Sequence, residues 1–444
     1  MSFNVINNSK FCLSKIQIIV AFVLINLTIF SWSCKKPSTD NFSEPTKYTI
    51  EDTLSVVWFR PFYADSAQSY FMSNPYLISN YALFCTFLPI EDGYQNGFQV
   101  YDKSTGKKHS NWNVEPEFTF EKLQRVSDWF VVGENYNLVI VTDGLSIACF
   151  DIMLGLERWN HRINNLNYRF GVFGDAVYAT TDTETKAEII KINLESGQQN
   201  VIFAKYTENG YEQSFESILG WVSPSGDSVL VFQARQHNFS LFKGKVDVLA
   251  YNMSSDSLLW TVKDITFDGN SSVKKSSIAN NKLYFQGMQS QHCIDLLTGE
   301  VVWTVNYISQ NVGFFEADNL YVDGKLFARS QESIFAYNAN SGNEIWRIDN
   351  LYGSEGGKMD FYKSNLYFTA IDYKSDIWYQ RKIICLNANT GELVWKSAVM
   401  QGDYTFSWFK EGVVIDQSTG YLYTNDSKNI VCVDLDKTLL LNTR

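Results

Sequence analysis

HCIDLLTGEVVW, residues 292–303, is a complete β-hairpin in twelve letters. Cys293 and Ile294 end a short apolar run, and Asp295 carries a short side chain suited to capping a turn. Thr298-Gly299 makes the turn, with Gly free to take the positive φ that a tight reversal requires. Val301, Val302 and Trp303 begin the return strand.

The same device recurs along the chain. An Asp or Asn stands at Asp102, Asp151, Asn193, Asn252, Asp295, Asn338, Asn387 and Asp434, 42 to 59 residues apart. Gly follows four positions later at Gly106, Gly155, Gly197, Gly299, Gly342 and Gly391, and Trp eight positions later at Trp159, Trp260, Trp303, Trp346 and Trp395. Trp112 arrives two residues late, which predicts a bulge or a longer turn in the first copy. The third copy has Val201 in place of Trp, and the fourth has Asp256 in place of Gly. A period in the forties with strand-turn-strand content is the mark of a propeller, one blade per repeat.

Each hairpin is preceded by another strand, at residues 82–87, 138–142, 176–180, 228–233, 282–286, 325–328, 365–369 and 421–424, and by an innermost strand, as at 129–132, 170–173 and 413–415. That makes four antiparallel strands per blade, a to d from the axis outward. The last copy has no Trp strand after it, whereas Trp58 sits in a Trp strand with no hairpin before it. Together they complete an eighth blade, so the expected fold is all-β: an eight-bladed propeller over residues 51–444, closed by the N-terminal strand.

Composition narrows the function classes. The chain of 444 residues carries a net charge of −11. Residues 1–33 hold Lys10 and Lys15 and no acid, so the remainder is more acidic still. Nucleic acid, which is bound through Lys and Arg, is excluded as a partner. The lysines precede a 17-residue apolar run, residues 16–32, too short for a membrane span and the length of a signal core. It ends in Ser31-Trp32-Ser33-Cys34. This predicts a signal peptide over 1–33, a lipidated Cys34 with a polar tether over 34–50, and no transmembrane domain in the mature protein.

The pattern apolar-x-Ala/Cys-x-Asp/Asn-x-x-Thr/Ser-Gly-x-x-x-Trp resembles the repeat of the pyrroloquinoline-quinone type propellers. In that family the Trp docks between blades, a role the resemblance gives to Trp58, Trp112, Trp159, Trp260, Trp303, Trp346 and Trp395. The end of the apolar run resembles a bacterial lipoprotein signal, although Ser31 replaces the usual Leu. Lys35, rather than Asp, after Cys34 implies by that resemblance the outer membrane, and the lack of an acidic run after Lys36 favours the periplasmic side.

Enzymes of the propeller family hold their quinone with an adjacent Cys-Cys pair and a calcium site. Neither can be mapped onto this chain, so no cofactor, no metal and no catalytic residue is expected. Its four histidines, His109, His161, His237 and His292, lack metal-ligand spacing. Cys149, Cys293, Cys385 and Cys432 each stand two residues before the repeat Asp/Asn. Ring symmetry holds such positions further apart than a disulfide reaches, so they read as buried, free thiols.

What remains is a surface. Four alternating strands put the b–c loops and the d–a connections on one face, and the b–c segments are long at residues 88–96, 181–188, 234–246 and 371–382. They carry Tyr94, Arg235, His237, Phe239, Phe242, Tyr373, Trp378, Tyr379 and Arg381, the aromatic and Arg mixture of interface hot spots, or else a cover for the blade edges. Trp129, Trp221 and Trp408, near inner strands, fit core packing or a ligand-lined funnel. The chain resembles the propeller lipoprotein of the outer-membrane β-barrel assembly machine. The expectation is a non-enzymatic, lipid-anchored scaffold with an envelope protein partner, that machinery among the candidates. A glycan or small-ligand binding lipoprotein is the alternative, and a quinone-dependent dehydrogenase the least supported. Deletion of residues 51–60 is expected to unfold or aggregate the protein; an unchanged melting temperature would refute closure by the N-terminal strand.

Overall fold

The computed structural model describes residues 53–61, 71–72, 74–90, 93–109, 130–132, 137–142, 146–238, 240–241, 243–267, 276–287, 290–306, 319–330, 332–353, 357–372, 382–397, 412–425 and 429–442. Residues 1–50, Cys34 included, lie outside them, as do Trp112, Trp129 and Trp408.

Eight antiparallel sheets follow one another along the chain. Six are plain four-stranded blades; in blades 1 and 7 two short inner segments share one b strand, Tyr81–Ile90 and Asn365–Asp372 respectively. The eight b strands expected from the sequence are all present, the longest being Ser228–Asn238. The eighth sheet takes its outer strand from the far end of the chain. Val56–Pro61 pairs with Asn429–Asp434, placing Trp58 opposite Cys432. The helix Leu435–Asn442 then clasps that strand, with Ser55 N donating to Thr438 Oγ1 at 2.9 Å and Asn442 Nδ2 to Thr53 O at 3.0 Å. The fold is an eight-bladed propeller closed by the N-terminal strand.

The core is divided. Strand side chains alternate between faces, and both faces of a blade meet a neighbour, so the buried apolar residues fall into eight clusters, one at each blade junction. Most junctions share one lock. The repeat Asp or Asn accepts two backbone N–H groups ahead of it, as Asp295 Oδ1 does from Leu297 and Thr298 at 2.9 and 3.1 Å. This tight turn presents a carbonyl and a glycine to the preceding blade. Trp58, Trp159, Trp260, Trp303 and Trp346 donate their indole N–H to Lys103, Leu194, Leu296, Ala339 and Ala388 O at 2.8–3.1 Å. The ring covers the glycine: a Cβ on Gly342 would lie 2.7 Å from Trp303, and on Gly106 2.4 Å from Trp58. With φ of +71° and +64°, both positions are restricted twice over, by conformation and by space.

A β-bulge aims each Trp. In blades 2 and 4 to 8 the c–d register shifts at the residue before the Trp, which sets the indole opposite Cys149, Ala250, Cys293, Ala336, Cys385 or Cys432. A small residue is needed there because the indole lies across from it. The four cysteines among these are buried and free. Burial pushes the Cys149, Cys385 and Cys432 thiols up to about 12 and Cys293 up to about 11, well away from a reactive thiolate.

Two junctions depart from the pattern. Between blades 3 and 4, Val201 stands half exposed where a Trp would be, and the bulge falls after it instead of before. Phe203 docks there, its ring 5.2–5.5 Å from Phe215, Phe232 and Tyr251. With no indole overhead, Asp256 occupies the glycine position at φ +53°. Between blades 7 and 8 the turn is replaced by the C-terminal helix, capped by Asp434 Oδ1 accepting from Lys437 N at 3.0 Å. The carbonyl of Leu435 now belongs to the first helical turn, and Trp395 Nε1 has no partner.

In the first copy the turn is as short as in the others, Asp102 N bonding to Lys107 O as Asp295 N does to Glu300 O. The late arrival of Trp112 therefore does not come from a longer turn. The b–c segments expected as long loops at residues 88–96 and 234–246 are instead ladder. Tyr81–Ile90 pairs with Gly93–Asp102 as far as Ile90 opposite Gly93, and Ser228–Asn238 with Lys243–Asn252 as far as Asn238 opposite Lys243. The alternation that buries Ala234, Gln236 and Asn238 while exposing Arg235 and His237 more fully continues the strand beyond the blade edge.

The Trp–Gly pairing predicts a thermodynamic cycle. Gly342→Asp alone is expected to destabilise by about 2–4 kcal/mol. In a Trp303→Val background, itself about 3 kcal/mol less stable, the same change should cost about 1 kcal/mol or less, because the Val201–Asp256 junction already has that form. Denaturant titration of the four proteins measures it; additive effects would refute the coupling.

Candidate functional site

The b–c hairpins and the d–a connections end on one face, as four alternating strands require. At the junction of blades 3 and 4 this face opens into a cleft of about 640 Å³. Blade 3 supplies Asn165, which precedes its inner strand Leu166–Phe173, and Asp182, Thr183, Glu184 and Thr185 from its b–c hairpin. Blade 4 supplies Glu212, Gln213 and Ser214 from its inner strand Glu212–Val222 and Arg235 and His237 from Ser228–Asn238. The blade 3 hairpin is held by Thr183, whose Oγ1 donates to Lys186 O at 3.0 Å and whose N donates to the same oxygen at 2.8 Å.

The walls are polar and charged. Asp182, Glu184 and Glu212 contribute carboxylates. Arg235 Nη1 lies 3.8 Å from Oε1 of Glu216, which is buried beneath it. Gln213 is 2% exposed; its Nε2 donates to Tyr211 O at 2.9 Å, and its Oε1 has no partner. Behind this face, the b strands of blades 2 to 8 each carry a buried polar residue four positions from the first residue paired to the c strand: Thr142, Thr180, Gln233, Gln286, Arg329, Thr369 and Asn425. Some reach across junctions, as Arg329 Nη2 does to Thr369 O at 3.1 Å.

Of the nine face residues singled out in the sequence, Arg235 and His237 line this cleft. Tyr94 lies in the strand Gly93–Asp102, opposite Pro89. Phe239, Phe242, Tyr373, Trp378, Tyr379 and Arg381 lie outside the described residues. Trp221 is at the far end of its strand from this face, buried, donating to Asn281 Oδ1 of the next blade at 3.2 Å, a packing role. Sequence reasoning missed Asn165, Glu184, Glu212 and Gln213. It sought aromatics and Arg on long segments, whereas these are short polar residues flanking two separate strands.

The remaining histidines are structural. His161 stacks on Trp159 and shares a 2.7 Å hydrogen bond with Gly197 O. His109 meets the Tyr81 ring edge-on. His292 is buried between Ser290 Oγ and Thr304 Oγ1 at 2.8 and 2.9 Å. Among the described residues no group of three His, Cys, Asp or Glu side chains is placed to hold a metal ion, and no helix is long and apolar enough to cross a membrane.

Fold and repeat together resemble those of the quinoprotein-type propellers. The model of the family described as outer membrane protein assembly factor BamB matches residues 243–353 and 330–438. Among solved structures, the chain is similar to BamB from Moraxella catarrhalis at 12% identity and TM-score 0.52, covering 78% of this chain and 95% of that one. Sqt1 from Chaetomium thermophilum, bound to the N-terminus of the ribosomal protein L10, matches at 11% identity and TM-score 0.55, covering 86% and 100%. The Dos1 propeller matches at 9% and 0.53, covering 86% and 97%. At these identities the likeness is one of fold. No curated protein sequence matches the chain.

A buried His and a partly buried Asp set opposing pH dependences. Burial lowers His292 to about 4, so the unfolded chain takes up its proton first and stability rises with pH between about 4 and 6.5. Burial raises Asp360 to about 6, against bonds from Phe361 N and Ile415 N and the charge of Lys358, so its contribution falls as pH rises from about 4 to 6. The two offset each other. His292→Gln is expected to lose about 2 kcal/mol of pH-dependent gain between pH 4 and 6 relative to wild type, and Asp360→Asn to rise more steeply than wild type. Denaturant midpoints across that window check both; parallel curves would refute the assignment.

Proposed function

We propose that this protein is a non-enzymatic scaffold of the bacterial cell envelope, anchored by a lipid on Cys34 to the periplasmic side of the outer membrane, and that it serves outer-membrane protein assembly. One observation carries the reading: residues 243–353 and 330–438 match a BamB family model, on a propeller closed by the N-terminal strand. The Sqt1 structure supports the scaffold half, because that propeller binds the N-terminus of another protein. The sequence of residues 1–50 supports the anchor. A propeller suits the role physically. Its rigid ring of eight blades holds hairpins at fixed spacing on one face, so contact residues are ordered before the partner arrives.

Two experiments test it. Cys34→Ser should move the protein from the membrane fraction to the soluble fraction on cell fractionation and abolish incorporation of a labelled fatty acid; unchanged partition would remove the anchor. A photo-crosslinker at His237 should capture polypeptides of the β-barrel assembly core in cells. Capture confined to other envelope proteins would keep the scaffold and change the machine, and a clean blank from this and every other position on the face would remove the scaffold.

A further inference from the structure

The cleft between blades 3 and 4 is built for a ligand of one charge. Glu184 and Glu212 stand on opposite walls, and neither is in an ion pair among the described residues. Arg235, the cation of the lining, lies 3.8 Å from the buried Glu216, so its charge is matched from within the wall. Gln213 completes the acceptor set, being 2% exposed with Nε2 spent on Tyr211 O and Oε1 left without a partner. A buried amide oxygen in that state carries an unmet demand for a donor.

Acceptors on both walls, a surplus of negative charge and a length spanning two blades fit a planar, multiply donating cation presented on an extended chain.

We infer that this cleft docks a segment of a partner polypeptide by an Arg or Lys side chain, which enters between Glu184 and Glu212 and donates to the Gln213 amide oxygen. Arg suits it better than Lys, because a guanidinium can donate to two carboxylates and an amide at once. The inference deepens the scaffold reading by naming the partner's chemistry, and it rests on that reading for the partner's being a protein.

The test uses the full chain purified in detergent, with a fluorescein-labelled peptide alternating Arg and Ser, followed by anisotropy at about 150 mM salt, where distant surface charge is screened. The matched control peptide carries citrulline, the neutral isostere, in place of Arg. The site variant is Glu184→Gln with Glu212→Gln. An equal-charge control, Glu300→Gln with Glu392→Gln, alters exposed acids on the opposite, c–d turn face. Expected are at least a roughly tenfold weakening of Kd by the site variant, little change with the control variant, and weak binding of the citrulline peptide. Gln213→Leu, with an unchanged melting temperature, should weaken binding as well. Equal losses in both variants would reduce the effect to the general acidity of the protein and overturn the inference, as would undiminished citrulline binding. Free arginine competing as well as the peptide, residue for residue, would overturn polypeptide docking. In cells the two readings separate. A site variant that still captures its partner through His237 overturns the cleft and leaves the scaffold. A protein that binds the peptide in vitro but captures no envelope protein leaves the cleft and removes the scaffold.

Discussion

The hydrogen bond from an indole N–H to the carbonyl of the next blade's turn is the interaction on which the ring depends. A lone four-stranded blade has two apolar faces and cannot bury either by itself. The Trp joins the c–d hairpin of one blade to the corresponding turn of its neighbour, and its ring excludes any side chain from the turn's αL position. One contact therefore fixes the spacing, the angle and the turn chemistry of two successive blades. The Asp or Asn that begins the turn serves the same contact at one remove, since it satisfies the backbone N–H groups that would otherwise compete for the carbonyl.

This explains why the fold was legible in sequence. Trp303, Gly342 and Asn338 are separated along the chain but constrain one another in space, and five junctions keep all three. At the Val201–Asp256 junction, two departures that look unrelated in sequence are one change in structure. The bulge before each Trp was not legible, because an extra residue in one strand leaves no compositional trace; what it leaves is the Cys or Ala opposite. The b–c segments were misread for a similar reason. Arg235 and His237 alternate with Ala234, Gln236 and Asn238, a strand pattern obscured by polar residues, since blade edges bury amides as readily as aliphatics. The turn device also appears once more at Asp416–Gly420, between an a and a b strand, where Tyr362 covers the glycine in place of a Trp.

The candidate site was legible only in part. Arg235 and His237 drew attention as charge on a long segment. Their neighbours across the cleft come from another repeat, and Asn165 lies far from His237 in sequence, so no local pattern joins them. What joins them is the closure of the ring, which places the b–c hairpin of one blade beside the inner strand of the next. This cleft carries carboxylates on both walls and the unpartnered amide oxygen of Gln213.

The exchange of strands between the chain ends has a consequence for biogenesis. Ser55 bonds to Thr438, 383 residues away, so the strand synthesised first is the last to find its place. Until residue 434 has been made, Val56–Pro61 has no partner, and the eighth blade is an open edge able to pair with other chains. The search that ends this state spans almost the whole polypeptide, which makes ring closure the slow, all-or-none event of assembly. A holding chaperone would act best on the two ends of the chain, whose blade joins strands from opposite termini.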